Sequence, residues 1–581
     1  MTRSRKKIRG DARSSLKIRL LGVSAIFLIY WAGLTTRLFY LQIVKHDDLV
    51  ALSEKQYART AKIYYGRGVI YDRNQNELAR NIEMESVYIT PPEITDPAQT
   101  ARTLAKLLQL NEKDVSRKVA SGKHFVWIKR KAPLDEVERL RRRQLAGIGF
   151  VSEQRRFYPK RELAAGVLGF VGLDNQGLAG VEHHHHSLLK GTTLRRVIEK
   201  DARGRTIHSL DDPRKQHSPS HDVVLTLDEV IQFTAEHHLK AQVEKYGAKS
   251  GVAVVMDPHS GEIYAMANVP QFNPNNYAAY PPRMWENRVV SGAIEPGSIF
   301  KPVVASAVID AGVAGPNDIF FCENGNFKIG RVSIGEAANH KFGWLSLKAI
   351  IKNSSNIGAI KMAQALGDKG LFPYLKQFGF GEKTGIDLPG EASGFLRDLP
   401  RWSALSLASI SFGHEISATP IQMATATSAI ANGGTFYLPR VTRAIVKDGK
   451  VVKTAEKPKG RRVISERTSR QVIEILKSVV KDGTGKAAAV PGYDTAGKTG
   501  TAQKFDTESQ TYSTTDYVSS FVGFAPADAP RIVVLVMIDS PRKSTWGGVV
   551  AAPVFREITK EVLRYLNVPS SEERVYIMDR A

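Results

Sequence analysis

Seventeen consecutive residues, Leu20 to Thr36, carry no charge, and the nineteen before them hold eight basic side chains. Lipid offers no water to an open backbone, so a stretch like this crosses a bilayer only as a helix. Seventeen helical residues rise about 25 Å, the short end of a span. Arg37 can snorkel and let Leu38 to Val44 extend the apolar length, so a transmembrane helix is expected over 20–44. The Lys and Arg excess before it sets residues 1–19 in the cytoplasm and the rest outside, as a single-pass protein of the cell (inner) membrane with a periplasmic or extracytoplasmic body. A cleaved signal peptide is the competing reading, disfavoured because apolar helical periodicity continues beyond a cleavage point. A buried soluble helix fits the basic run least well.

At 581 residues the chain is too long for one ordinary domain. Its 42% hydrophobic and 24% charged content is that of globular protein rather than a disordered one. The 82 basic and 58 acidic residues leave a net charge of +24. That excess reads either as a solvated basic surface or as attraction to anionic lipid or an acidic polymer. No nucleic-acid motif accompanies it. The single cysteine, Cys322, has no internal disulfide partner and reads as a small packed residue.

Three short signatures then stand in order: Ser298-Ile299-Phe300-Lys301, Ser354-Ser355-Asn356 and Lys498-Thr499-Gly500-Thr501. Each is weak alone. S-x-x-K begins six times, at Ser4, Ser14, Ser187, Ser298, Ser478 and Ser540, and K-T-G twice, at Lys383 and Lys498. Only Ser298 follows Glu295-Pro296-Gly297 and leads into an apolar segment, Ile299 to Ala311, that reads as a buried helix. The Lys383 copy reads as a loop.

A serine hydroxyl needs a base within hydrogen-bond reach, and residues three apart on a helix share a face, which sets Lys301 beside Ser298. Burial, a second cation such as Lys498 and a helix N-terminus all lower a lysine pKa toward that of a useful base. The Ser354–Asn356 turn either aims Ser354 and Asn356 into one cleft or simply caps the following helix; the order of the motifs favours the cleft. Gly500 in a strand marks close backbone approach, so a peptide can add along this edge as an extra strand. Lys498 and the hydroxyls of Thr499 and Thr501 would then meet a terminal carboxylate. The backbone N–H groups of Ser298 and Thr501 are the oxyanion-hole candidates.

Residues 45–245 mix short strands, helices and charges, and show no catalytic constellation. Arg67 to Asn74 reads as a strand entering a polar turn. His183 to His186 cannot all ligate one ion, since adjacent helical positions point apart, and read as an exposed polar helix start, with metal binding the lesser alternative. Asp222 to Leu227 precedes a helix to about Lys245. Asp257 to Gly261 marks a hairpin, and Tyr517 to Phe524 and Arg531 to Asp539 read as further strands. Strands at both ends of a helical middle predict an α+β fold, an antiparallel sheet backed by helices with a helical subdomain.

Longer strings resemble the class B penicillin-binding proteins, peptidoglycan D,D-transpeptidases, and among them the cell-division type. They are Arg67-Gly68 through Asp72-Arg73-Asn74, Arg156 through Pro159, Glu295 through Ser298, Ser354 through Asn356, Ala496 through Lys504, Ser520 through Pro526 and Gly547 through Phe555. The likeness covers nearly the whole chain. It implies a basic tail (1–19), the membrane helix (20–44), a non-catalytic mixed α/β pedestal (45–245), a transpeptidase domain of the penicillin-binding and serine β-lactamase-like fold (246–568) and a short C-terminal tail (569–581). By the same resemblance Ser298 attacks the penultimate D-Ala carbonyl of a stem peptide, Lys301 takes its proton, Ser354 relays protons and Asn356 orients Lys301 and the substrate amide. β-Lactams acylate Ser298 and stay. No cofactor or metal is implied. The implied partners are stem peptides ending in D-Ala-D-Ala, β-lactams, and a membrane-embedded glycosyltransferase and other division proteins that dock on the pedestal.

Some positions depart from the family pattern. Ile299 and Phe300 replace a Thr-containing pair, and Gly335-Glu336 with His340 match the usual Asp-and-His segment loosely. An elongation-type transpeptidase, a D,D-carboxypeptidase or β-lactamase-like hydrolase, and a non-catalytic division scaffold are the alternatives. The acceptor amine and the role of the four histidines stay open.

Overall fold

The computed structural model describes residues 5–64, 66–190, 193–200, 206–208, 220–456, 459–506 and 511–570. Parts of both expected tails, residues 1–4 and 571–581, lie outside the described residues. The chain divides into two compact units, one drawn from 1–65 and 192–217, the other from 66–191 and 218–581.

In the first unit a helix, Arg5–Phe39, runs into a π-turn, Tyr40–Val44, and a further helix, His46–Tyr57. Leu16–Val44 has a mean hydropathy of 1.7 and buries none of its residues, so its length and composition suit a membrane crossing. The expected 20–44 lies inside it. Strand Ala58–Tyr64 pairs antiparallel with Thr193–Lys200, which pairs with Thr206–His208.

The second unit opens with a seven-stranded sheet. Its order is Lys450–Thr454, Thr442–Lys447, Asp222–Leu225, Ile70–Tyr71, Glu77–Ile89 and Val126–Ala132, with Ile148–Phe157 also paired to Glu77–Ile89. The strand expected from Arg67 shrinks to Ile70–Tyr71, because Arg67 and Gly68 are spent on a buried polar knot. There the Glu182 carboxylate accepts from both Arg67 and Arg156 (Nε, 2.6 Å), all three fully or nearly buried. The second Arg156 nitrogen reaches Gly68 O at 2.7 Å.

His183 and His184 are exposed at the end of a short helix, Gly180–His184. His185 and His186 are half-buried: His185 Nε2 lies 2.8 Å from Thr442 Oγ1, and His186 Nδ1 accepts from Gly177 N at 3.1 Å. The run therefore ends one helix and begins another, instead of forming a wholly exposed helix start. No cluster of His, Cys, Asp and Glu fit to hold a metal occurs among the described residues.

The rest of this unit is a five-stranded antiparallel sheet between two helical layers. In chain order its principal elements are α1 (Glu229–Tyr246), β1 (Ser250–Met256), β2 (Ile263–Val269), α2 (Lys301–Asp310), α3 (Leu347–Asn353), α4 (Asn356–Leu366), α5 (Pro420–Ala431), α6 (Glu466–Asp482), β3 (Ala496–Asp506), β4 (Thr511–Ala525), β5 (Ile532–Asp539) and α7 (Ala552–Tyr565). The sheet order is β2-β1-β5-β4-β3, which leaves β3 at the edge.

Both faces are covered, and β5 shows why the run has to be apolar throughout. Val533, Leu535 and Met537 join the core with α2, α5 and α6, while Val534, Val536 and Ile538 join the core with α1 and α7. Alternate side chains point to opposite faces, and here neither face is wet. Helix α2 is apolar around most of its circumference and is buried from Lys301 to Ile309, as such a helix must be.

Candidate active site

Ser298 stands in a 3-10 turn, Gly297–Phe300, that feeds directly into α2. Gly297 takes φ +57°, and a Cβ there would lie 3.0 Å from that of Ala502 on β3. At Gly500 a Cβ would come within 2.3 Å of Ser520 Oγ and 3.0 Å of Ile299 Cγ2. The two glycines let the edge strand lie against the Ser298 turn.

Lys301, one turn further on, is fully buried. Its Nζ donates to Ser354 O (2.6 Å), Ser354 Oγ (3.3 Å) and Asn356 Oδ1 (2.8 Å). All three acceptors belong to one turn; the Ser298 hydroxyl is not among them. Burial lowers the Lys301 pKa to about 7, with the Glu336 carboxylate pulling the other way.

The turn itself divides its duties. Ser354 adopts a left-handed φ of +60° and ends α3, while the Ser355 hydroxyl caps α4 by accepting from Gly358 N at 2.9 Å. Helix capping therefore falls to Ser355, and Ser354 and Asn356 are turned onto Lys301.

Glu336 sits on the N-terminus of α4, where backbone donors and the helix dipole favour a negative charge. Its carboxylate accepts from Asn356 N (2.6 Å), Ile357 N (3.3 Å) and the Ser355 hydroxyl. It thus orients the same turn that holds Lys301. Sequence reasoning did not assign this residue a role; the only trace was the loose match around Gly335-Glu336.

Lys498 is also fully buried and donates to Thr499 O (3.0 Å) and Thr499 Oγ1 (3.3 Å). Burial first, and the Lys301 charge second, hold its pKa well below that of a free lysine. Thr499 Oγ1 also meets Thr484 Oγ1 at 2.8 Å, and Thr501 Oγ1 accepts from Gly547 N at 3.0 Å. Thr484 and Gly547 had no role assigned from sequence. Ser298, Ser354, Thr499, Gly500 and Thr501 line one cleft of about 520 Å³, with His340 on its wall. The Lys383-Thr384-Gly385 copy is a loop that does not line this cleft, its Thr384 hydroxyl bonded to Glu391 at 2.5 Å.

Residues 251–560 match the penicillin binding protein transpeptidase domain family, and residues 62–225 the penicillin-binding protein dimerisation domain family. The chain belongs to the class B penicillin-binding proteins. Among its relatives is stage V sporulation protein D of Bacillus subtilis, 34% identical over 97% of this chain and 88% of that protein. Another is the peptidoglycan D,D-transpeptidase FtsI of Escherichia coli K12, 31% identical over 93% of this chain and 90% of that one. The crystal structure of penicillin binding protein 3 from Mycobacterium tuberculosis, complexed with aztreonam, superposes with a TM-score of 0.69 at 29% identity, covering 88% of this chain and 98% of that one. The fold expected of a penicillin-binding protein, a helix-backed transpeptidase domain preceded by a pedestal and an apolar helix, is the one observed.

Proposed function

We propose that this protein is a peptidoglycan D,D-transpeptidase that cross-links stem peptides during septal wall synthesis through a Ser298 acyl-enzyme, and that it binds penicillin covalently. The observation that carries this reading is the buried Lys301, held by Ser354 and Asn356 one turn from Ser298 with its pKa near 7. A lysine so poised is neutral often enough at physiological pH to act as a base.

Lys301 accepts the hydroxyl proton as Ser298 Oγ attacks the penultimate D-Ala carbonyl. The N–H groups of Ser298 and Thr501 take the developing oxyanion. Ser354 relays the proton to the leaving amine of terminal D-Ala, and an amine from a second stem peptide then attacks the ester and frees Ser298. Asn356 keeps Lys301 oriented, while Lys498, Thr499, Gly500 and Thr501 bind the substrate's terminal carboxylate and backbone.

For the whole chain we assign residues 1–19 to a cytoplasmic tail, 20–44 to a single membrane helix, 45–245 to the pedestal, 246–568 to the transpeptidase domain and 569–581 to a tail. This sets the catalytic domain outside the cell (inner) membrane, with the pedestal facing a membrane-embedded glycosyltransferase and other division proteins.

The deciding assay supplies the full-length protein with a pentapeptide-bearing glycan and an amine acceptor. Cross-linked dimer with release of D-Ala is the expected product; D-Ala release without dimer would mean a hydrolase. Because the neutral lysine is the base, acylation by penicillin is expected to accelerate as pH rises through about 7 and then level off. A profile flat from pH 5 to 9 would count against Lys301. Glu336→Gln removes the charge that opposes the burial effect, so the midpoint of that profile is expected to fall below the wild-type value.

A further inference from the structure

Glu295 precedes Ser298 by three residues and is half-buried. Its Oε1 accepts from Glu415 N at 3.0 Å and from the Tyr512 hydroxyl at 3.1 Å. Glu415 takes φ +56° in the turn that follows Gly413, and the Gly413 carbonyl accepts from Gly297 N at 3.1 Å. A Cβ at Gly413 would lie only 2.2 Å from Gly297 O, so that turn is pressed directly onto the turn of Ser298.

Tyr512 lies at the outer end of β4, paired across from Phe505 on β3. Its ring packs against His414 (5.0 Å between centroids) and Phe505 (5.4 Å). Three segments distant in sequence therefore converge on one carboxylate oxygen. They are the Ser298 turn, the 413–415 turn, and the strand pair that carries Lys498 to Thr501.

The charges around this oxygen do not account for the arrangement. Glu295 Oε2 is buried without a hydrogen bond, although His414 Nδ1 lies 3.3 Å away. Burial first, and the Lys301 charge second, lower the His414 pKa to about 4, so the imidazole is neutral at pH 7. Burial also raises the Glu295 pKa. Arg397 reaches Glu415 at 3.8 Å rather than Glu295. What Glu295 supplies is an oxygen that accepts two hydrogen bonds.

We propose that Glu295 is a positioning residue for acylation, whose Oε1 ties the Ser298 turn to the far end of the strand pair bearing the Lys498–Thr501 edge. The inference rests on Ser298 being the nucleophile. A displacement of about 1 Å in a reacting group can cost about 100-fold in rate, and this tether acts on the spacing between nucleophile and substrate-binding strand. It requires an acceptor oxygen and not a charge. Glutamine should therefore substitute for Glu295, and alanine should not.

The test is rapid-mixing acylation of the full-length, detergent-solubilised protein by fluorescent penicillin, resolving the acylation rate constant from the preceding binding constant. Glu295→Ala is expected to slow the acylation step by about 10- to 100-fold while leaving initial binding within about threefold. Glu295→Gln should stay within about threefold of wild type, and Tyr512→Phe, which removes one of the two donors and leaves the ring, should lose about threefold to tenfold. A wild-type rate in Glu295→Ala or Tyr512→Phe overturns the proposal, as does a Glu295→Gln rate as low as that of alanine. If Glu295→Ala loses its thermal transition, the Gln and Phe variants decide alone. Ser298→Ala runs alongside: labelling that persists there would refute the nucleophile assignment itself, separately from the tether.

Discussion

Ser298→Ala is expected to abolish covalent labelling by fluorescent penicillin in a protein that still folds. Ser298 is half-exposed on the cleft wall, and its side chain carries none of the hydrogen bonds that hold Lys301 or the Ser354–Asn356 turn. Deleting one oxygen therefore removes the proposed nucleophile with little structural penalty. In serine hydrolases, loss of the nucleophile costs about 10⁶-fold in turnover, far below detection by gel fluorescence. Unchanged thermal unfolding together with lost labelling is the predicted pair of results; labelling that survives would place the acyl group on another residue.

The second large effect lies far from the cleft, at Glu182. Its carboxylate is 0% exposed and bonds to the guanidinium groups of both Arg67 and Arg156, which are 4% and 3% exposed. Tyr158 adds its hydroxyl at 3.3 Å. Removing a partner from such a cluster leaves uncompensated buried charge, and each such loss is worth about 3–5 kcal/mol. Glu182→Ala is thus expected to cost at least about 3 kcal/mol, since two arginines lose their counterion at once. Chemical denaturation of the detergent-solubilised protein should show a markedly lower midpoint. A shift below about 1 kcal/mol would mean that water reaches the knot and solvates both arginines.

Much of the catalytic region was legible because its signals are local. The hairpin at Asp257–Gly261 joins β1 to β2 as its turn residues predict, and the apolar run after Ser298 became the buried α2. The three motifs meet because each occupies the end or edge of an element packed on one core. Contacts between residues far apart in sequence were not legible. Nothing in Tyr512 or Glu295 announces that they bond, and Glu336 lies in a stretch whose pattern matched only loosely. Four adjacent histidines suggested a uniform polar surface, yet neighbouring helical positions face different surroundings, and two of them turned inward. The Lys383 copy shows the reverse: its spacing imitates a functional signature, but the loop serves the scaffold. Asp387, just beyond it, accepts from Val441 N and Thr442 N, both at 2.7 Å.

That last contact fixes the start of strand Thr442–Lys447, which with Lys450–Thr454 completes a sheet otherwise built from residues 70–225. The chain is made from its N-terminus, so the earlier strands form first and wait with an open edge at Asp222–Leu225. Unpaired edges invite association with other chains. The pedestal sheet is sealed only when a segment from deep within the catalytic region arrives. The catalytic region expressed alone would carry the mirror defect, with Thr442–Lys447 paired only to Lys450–Thr454. These two portions share a sheet, and so they must mature together.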